Sequence, residues 1–143
     1  MKMKILITGS SNGIGFQIAK DLLKEGHDLA LHYNSNNSKI KELVSENKDR
    51  SFMVQADLSK ESGAFDLFEK IYKKMGFPDT IINNAGIAES APINLENKLW
   101  INNFDKTISV NLKSPSVLSK LFIEKKRKAI VRRRNIKKIK SGG

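Results

Sequence analysis

Short apolar runs and helical apolar stripes alternate along this chain. Ile5, Leu6 and Ile7 form a compact run that ends in Thr8 and a turn. Ile14, Ile18, Leu22 and Leu23 then recur at helical spacing, and Gly26 stops that helix. Asp28 to His32 reads as a second strand, and Tyr33 to Ser38 as a loop rich in Asn and Ser. Ser38 is placed to cap a helix over residues 39–47, with Ile40, Leu43 and Val44 on one face. Ser51 to Gln55 is a third strand, followed by Ala56-Asp57-Leu58-Ser59. A helix opening at Ser59 or Lys60 is expected to bury Phe65, Leu67, Phe68, Ile71 and Tyr72. Gly76 and Pro78 end it, and Thr80 to Ile82 is a fourth strand. Beyond a loop from Ile87 to Asn97, Leu99, Trp100, Phe104, Ile108 and Leu112 mark one face of a long helix, with Trp100 a packing residue. Strands alternating with helices predict an α/β fold: a doubly wound parallel sheet with helices on both faces.

Two turns in this pattern carry chemistry. The first is Gly9, Ser10, Ser11, Asn12, Gly13, Ile14 and Gly15, between the first strand and the first helix. Strand, tight turn and helix present backbone N–H groups and a helix N-terminus to a pyrophosphate. Gly9 lets the chain turn sharply, Gly13 lets backbone approach phosphate, and Gly15 lets helix pack on strand. Alone, such a turn also fits an ordinary strand–helix connection. The second is Asn83-Asn84-Ala85-Gly86, directly after the fourth strand, where the small Ala85 and Gly86 permit close approach.

The glycine order with Thr8, the Asn-Asn-Ala-Gly turn, and Ser109-Val110-Asn111-Leu112 in the long helix together resemble the short-chain dehydrogenase/reductase family. The pattern is most similar to that of β-ketoacyl-(acyl-carrier-protein) reductases. The resemblance implies an NAD(P)-dependent oxidoreductase that transfers hydride to a keto group, works on a small keto or hydroxy substrate, and forms homo-oligomers. It implies cofactor contacts from the whole first turn and from Asn84, Ala85 and Gly86 at the ribose. Asp57 and Leu58 contact the adenine ring, and a helix-capping role for Asp57 stands beside this. Asn111 inherits a catalytic role at a helix irregularity, helping to hold a water for proton relay; a tolerated polar helix residue is its plain alternative. At the end of the second strand, where NAD-binding relatives carry an acid, this chain has Tyr33, Asn34 and Ser35. With no carboxylate to repel a 2′-phosphate, NADP (NADPH) is favoured over NAD. Asn34 is placed to donate to that phosphate and Lys39 to add charge.

Composition narrows the rest. The 143 residues suit one domain, and the absence of Cys excludes disulfides and thiolate metal sites. His27 and His32 are the only histidines and lack a grouped third ligand, so no metal is expected. No apolar run approaches a membrane span, and the first strand begins almost at once; the expected compartment is the cytoplasm. The net charge of +11 invites a nucleic-acid reading. Ten of the 26 Lys and Arg, however, lie in residues 125–143, which hold no acid, so residues 1–124 carry 16 bases against 15 acids.

The resemblance runs from Met3 to about Glu124. Beyond it the family places a serine strand, then a catalytic tyrosine with a lysine four residues later. The tyrosine protonates the carbonyl oxygen, and the lysine lowers its pKa and holds the ribose. The only tyrosines here, Tyr33 and Tyr72, are followed at that spacing by Asn37 and Gly76. These 143 residues therefore lack the pair, and the chain is read as a truncated, catalytically incompetent reductase. Residues 125–143 are expected to be a non-native or disordered basic tail. A frame shift or early stop is the favoured origin, with a genuine arm for nucleic acid or acidic membrane, or a functionless solvated tail, as alternatives. With no aromatic residue among its charges, such an arm would bind through phosphates alone, and a nucleic-acid partner is disfavoured. A third reading is a non-catalytic cofactor-binding or interaction module.

Overall fold

The computed structural model describes residues 1–141, with side chains through Arg132. Four parallel strands, β1 (Lys4–Ile7), β2 (Asp28–Tyr33), β3 (Ser51–Gln55) and β4 (Thr80–Ile82), form one sheet in the order β3-β2-β1-β4. The helices α1 (Gly13–Lys24), α2 (Ser38–Glu46) and α3 (Gly63–Met75) connect them. After β4 come α4 (Asn97–Ile108), a π-helical turn Ser109–Lys113, and α5 (Ser114–Ser141).

Strand alternation sorts the core into two layers. Ile5, Ile7, Leu29 and Leu31 pack with Ala19 and Leu23 of α1 and Ile40 and Leu43 of α2. Leu6, Ala30 and Val54 pack the opposite face with Leu67, Phe68 and Ile71 of α3, Val110, and Leu118 of α5. The β1–β2 register, Ile5 beside Leu29 and Leu6 beside Ala30, keeps each set on its own side. A sheet covered on both faces explains why the strands read as continuous apolar runs.

Four expectations are corrected. Ser38 is the first residue of α2, not its cap; the Asn36 carboxamide oxygen accepts from Ser38 N–H and Oγ, both at 3.1 Å. The third helix begins at Gly63 rather than Ser59 or Lys60. Asp57 Oδ1 accepts from the N–H and hydroxyl of Ser59 (3.0 and 2.6 Å), closing a turn of its own before the helix. A side chain at Gly63 would sit 2.0 Å from the Asp57 carbonyl oxygen, so the helix enters where no Cβ intervenes. Its buried stripe is Ala64, Leu67, Phe68 and Ile71, at i, i+3, i+4 and i+7; Phe65 and Tyr72 fall one step round and are exposed. Ile14 is likewise exposed at the start of α1, whose core residues are Gly15, Ala19 and Leu23.

The long helix differs most. It bends its ladder at the π-helical turn, and none of Leu99, Trp100, Phe104, Ile108 and Leu112 is buried. Trp100 stacks on Phe104 with ring centroids 5.4 Å apart, and this face stays partly open to solvent. The stretch set apart at residue 125 continues α5 without a break in the described backbone. Helix-forming side chains and spacing favour this. Glu124 pairs with Lys120 (3.4 Å) and Lys128 (2.6 Å), and Lys125 lies over the Tyr72 ring (4.9 Å). The side chains of residues 133–141, and residues 142–143 entirely, lie outside the described residues.

Candidate nucleotide site

The two turns singled out in the sequence meet at the C-terminal ends of β1 and β4. Gly9 takes φ +65°, and a Cβ there would lie 2.7 Å from Ala85 Cα. Only glycine permits both the conformation and the crossing. Thr8 joins the turns: its Oγ1 accepts from Asn84 N–H and Ala85 N–H, each at 3.0 Å. The Asn84 side-chain amide donates to the carbonyls of Thr8 (3.1 Å) and Gly9 (2.9 Å). Gly15 closes the same knot, because a Cβ there would stand 2.4 Å from both Asn84 Nδ2 and Gly9 O.

On the outer side of this knot, α1 presents its N-terminus. Asn12 is extended (φ −158°) and makes no side-chain capping bond, and no acid lies in the first turn. The amides at the start of the helix have no intrahelical acceptor, and the helix dipole adds partial positive charge there. They border a cavity of about 480 Å³ lined by Gly9, Ser11, Asn12, Gly13, Ile14, His32, Asn34, Leu58, Asn84, Ala85, Gly86, Ile87, Glu89, Lys106 and Val110. That volume falls within the range of small-molecule and cofactor sites, about 300–1,000 Å³.

Most of the residues expected at the cofactor line this one cavity: Gly9, Ser11, Asn12, Gly13, Ile14, Asn34, Leu58, Asn84, Ala85 and Gly86. Four expected site residues do not. Ser10 is fully buried; its hydroxyl and N–H both bond the His32 carbonyl oxygen at 2.9 Å. Gly15 lies beneath the turn, against Asn84. Asp57 spends Oδ1 on Ser59, and the Ser59 hydroxyl is the first cause holding its carboxyl below the usual range. Asn111 spends both ends of its carboxamide on Ile87, accepting from its N–H (2.9 Å) and donating to its carbonyl (2.8 Å). The helix irregularity expected around Asn111 is the π-helical turn Ser109–Lys113. Lys39 stands outside the lining residues.

Sequence reasoning missed Glu89, Lys106 and His32. One helix face grips the loop after the second turn. Asn103 donates to Ser90 O (2.7 Å), Lys106 pairs with Glu89, and Thr107 Oγ1 accepts from Glu89 N–H (3.3 Å). Their spacing with Asn111, at i, i+3, i+4 and i+8, was a readable signal of a shared face. The Glu89 hydrogen bond is the main cause raising the Lys106 pKa. His32 was legible as a polar residue at an inward strand position. Its Nδ1 accepts from Gly9 N–H (3.1 Å), and its Nε2 lies 3.0 Å from Ala56 O. Burial pushes its pKa down.

A doubly wound parallel sheet with a glycine turn opening on a helix N-terminus defines a Rossmann-type nucleotide-binding fold. The family model described as short chain dehydrogenase matches residues 3–131, seven residues beyond the limit read from the sequence. The chain belongs to the short-chain dehydrogenase family. It is 33% identical over 116 residues to the 3-oxoacyl-(acyl-carrier-protein) reductase FabG of Staphylococcus epidermidis, covering 79% of this chain and 46% of that protein. Among solved structures, it resembles a 4-hydroxyisoleucine dehydrogenase complexed with NADH (TM-score 0.76, 28% identity, covering 89% of this chain and 50% of that one). It also resembles a blue fluorescent protein from a metagenomic library in complex with NADPH (TM-score 0.73, 27% identity, covering 82% and 49%). The chain spans about half the length of the relatives it matches. No helix among the described residues is long and apolar enough to cross a membrane.

Proposed function

We propose that this chain seats a nicotinamide dinucleotide, NADPH in preference to NADH, and carries the cofactor-binding portion of a reductase acting on a keto group. One observation carries the reading: the uncapped N-terminus of α1 and the Gly9–Gly13 turn open on a single cavity that also holds Asn34, Leu58 and the second turn. The pyrophosphate would rest on the amides after Asn12. The adenosine would lie toward Leu58 and Val110, and the nicotinamide ribose toward Ala85 and Gly86. The bound cofactor supplies hydride; the protein's own residues bind and orient it. Similarity to an NADPH-bound and an NADH-bound protein supports the dinucleotide class. Asn34 on the cavity wall, with Tyr33 and Ser35 beside it and no acid, favours the 2′-phosphorylated form. Glu89, the carboxylate on that wall, is paired with Lys106.

Asn111 acts here through Ile87, holding the loop that borders the cavity. No Tyr in the 143 residues has a Lys four positions on, so these residues alone are expected to bind cofactor without turnover. The test is fluorescence titration of the protein with NADPH and NADH at pH 7.5, followed by an absorbance assay with NADPH and a short β-keto ester. Saturable, tighter NADPH binding with no oxidation is the expected result. Absence of binding to either nucleotide overturns the cofactor reading. NADPH oxidation that Asn111→Ala abolishes overturns the inactivity.

A further inference from the structure

The ring of His32 joins three segments of the site at once. Its Nδ1 receives the N–H of Gly9, the first glycine of the turn, at 3.1 Å. That N–H can only donate, so Nδ1 is the bare nitrogen and Nε2 carries the proton, which it donates to Ala56 O at 3.0 Å. The His32 carbonyl receives both the N–H and the hydroxyl of Ser10. The residue is 2% exposed, yet it touches the cavity wall. A second proton on this ring must sit on Nδ1, pointing at the Gly9 N–H. Two donors then face one another, and the turn or the ring must move.

We propose that His32 is a proton-sensitive positioning residue. Its neutral ring fixes the Gly9 turn in the form that seats a dinucleotide phosphate, and its protonation releases that turn and weakens binding. The ligand half of this statement rests on the function proposed above; the coupling of ring to turn does not.

The surroundings leave the ring without a counter-charge. β1 and its turn bring Thr8 and Gly9, and the first turn of α1 brings no acid. The segment just after β3 brings the Ala56 carbonyl, followed by Asp57, whose carboxylate is held by Ser59. The loop after β4 and α4 bring Glu89 and Lys106, which are paired with each other. Burial is the larger influence on the ring and favours its neutral form, against the smaller pull of the Ala56 carbonyl. The opposing possibility is electrostatic: an imidazolium attracts phosphate, which would tighten binding in acid.

Two measurements on the full chain decide between these. The first needs no ligand. Amide and imidazole NMR signals are followed from pH 8 downward until the His32 ring has titrated; with two histidines in the chain, the His32→Asn spectrum separates the His32 ring from His27. The Gly9 amide is expected to titrate with the His32 ring, and a Gly9 signal indifferent to that titration overturns the coupling. The second is calorimetry with NADP⁺ over the same pH range, for wild type and His32→Asn, whose carboxamide oxygen accepts without titrating. The ratio of the two affinities cancels protonation of the ligand itself. Below the folded pKa of His32 the wild type is expected to lose about tenfold per pH unit relative to the variant. Parallel slopes, or tightening in acid, overturn the proposal. If neither protein binds NADP⁺ at pH 8, the cofactor reading fails, and the Gly9 amide still decides the coupling. If His32→Asn does not fold, the wild-type amide titration stands alone as the test.

Discussion

Asn84 bonds Thr8 twice: its backbone N–H donates to Thr8 Oγ1 at 3.0 Å, and its side-chain amide donates to Thr8 O at 3.1 Å. The two turns of the site are therefore one structure, and the glycine-rich loop inherits its shape from residues about 75 positions away.

Replacing Thr8 by Val keeps its volume and removes the acceptor for two N–H groups. Thr8 is 2% exposed, so water cannot easily replace it. Thr8→Val is expected to lose about 2–3 kcal/mol, while Thr8→Ser loses less than half as much, read from urea unfolding midpoints.

The glycines of the first turn differ in their demands. A Cβ at Gly15 meets Gly9 O and Asn84 Nδ2 at 2.4 Å, whereas one at Gly13 meets nothing within 4 Å and suffers only φ +53°. Gly13→Ala is expected to cost about 1–2 kcal/mol. Gly15→Ala should be more destabilising and should abolish NADPH binding at temperatures where it stays folded. Melting temperature and nucleotide fluorescence measured on both variants check the order.

Asn111→Ala frees both backbone groups of Ile87. Because the pair is solvent-exposed, global stability should fall by no more than about 1 kcal/mol. The effect should be local: faster amide exchange at Ile87 and the following loop, with β1 and β2 unchanged, as read by hydrogen–deuterium exchange.

Acid should weaken the fold in two windows. The His32 pKa is lowered by burial from 6.5, so the unfolded chain takes up its proton first. That contribution is whole above about pH 6.5 and declines as pH falls toward the folded value. Asp57, lowered from 3.8 first by the Ser59 hydroxyl, contributes above its unfolded value and is lost as pH falls through the folded one. Urea midpoints from pH 8 to pH 3 should show both declines. His32→Asn should remove only the upper one, and Ser59→Ala should diminish the lower.

The strands and the positions of both turns were legible because the signature of each lies in neighbouring residues, although the shape of the turns depends on bonds between them. Ile5–Ile7 and Asn83–Gly86 announce themselves by apolar run and glycine alone. The helix faces were less so. Phe65 and Tyr72 look as apolar as Phe68, but the packing position of α3 is set by Gly63 against Asp57, a contact that periodicity does not carry. His32 escaped because its role exists only once β1, β2 and β3 lie side by side. Asn111 was located correctly at an irregular turn, yet its bonding to Ile87 depends on where the loop after β4 folds back.

The crossing of Gly9 over Ala85 sets an order of events for the growing polypeptide. The glycine turn cannot acquire its shape while β4 is still being synthesised, since the bonds that define it lie on the far side of three helix-bearing crossovers. Closure of so long a loop is entropically late. The part of the molecule that reads first in the sequence is among the last to become competent.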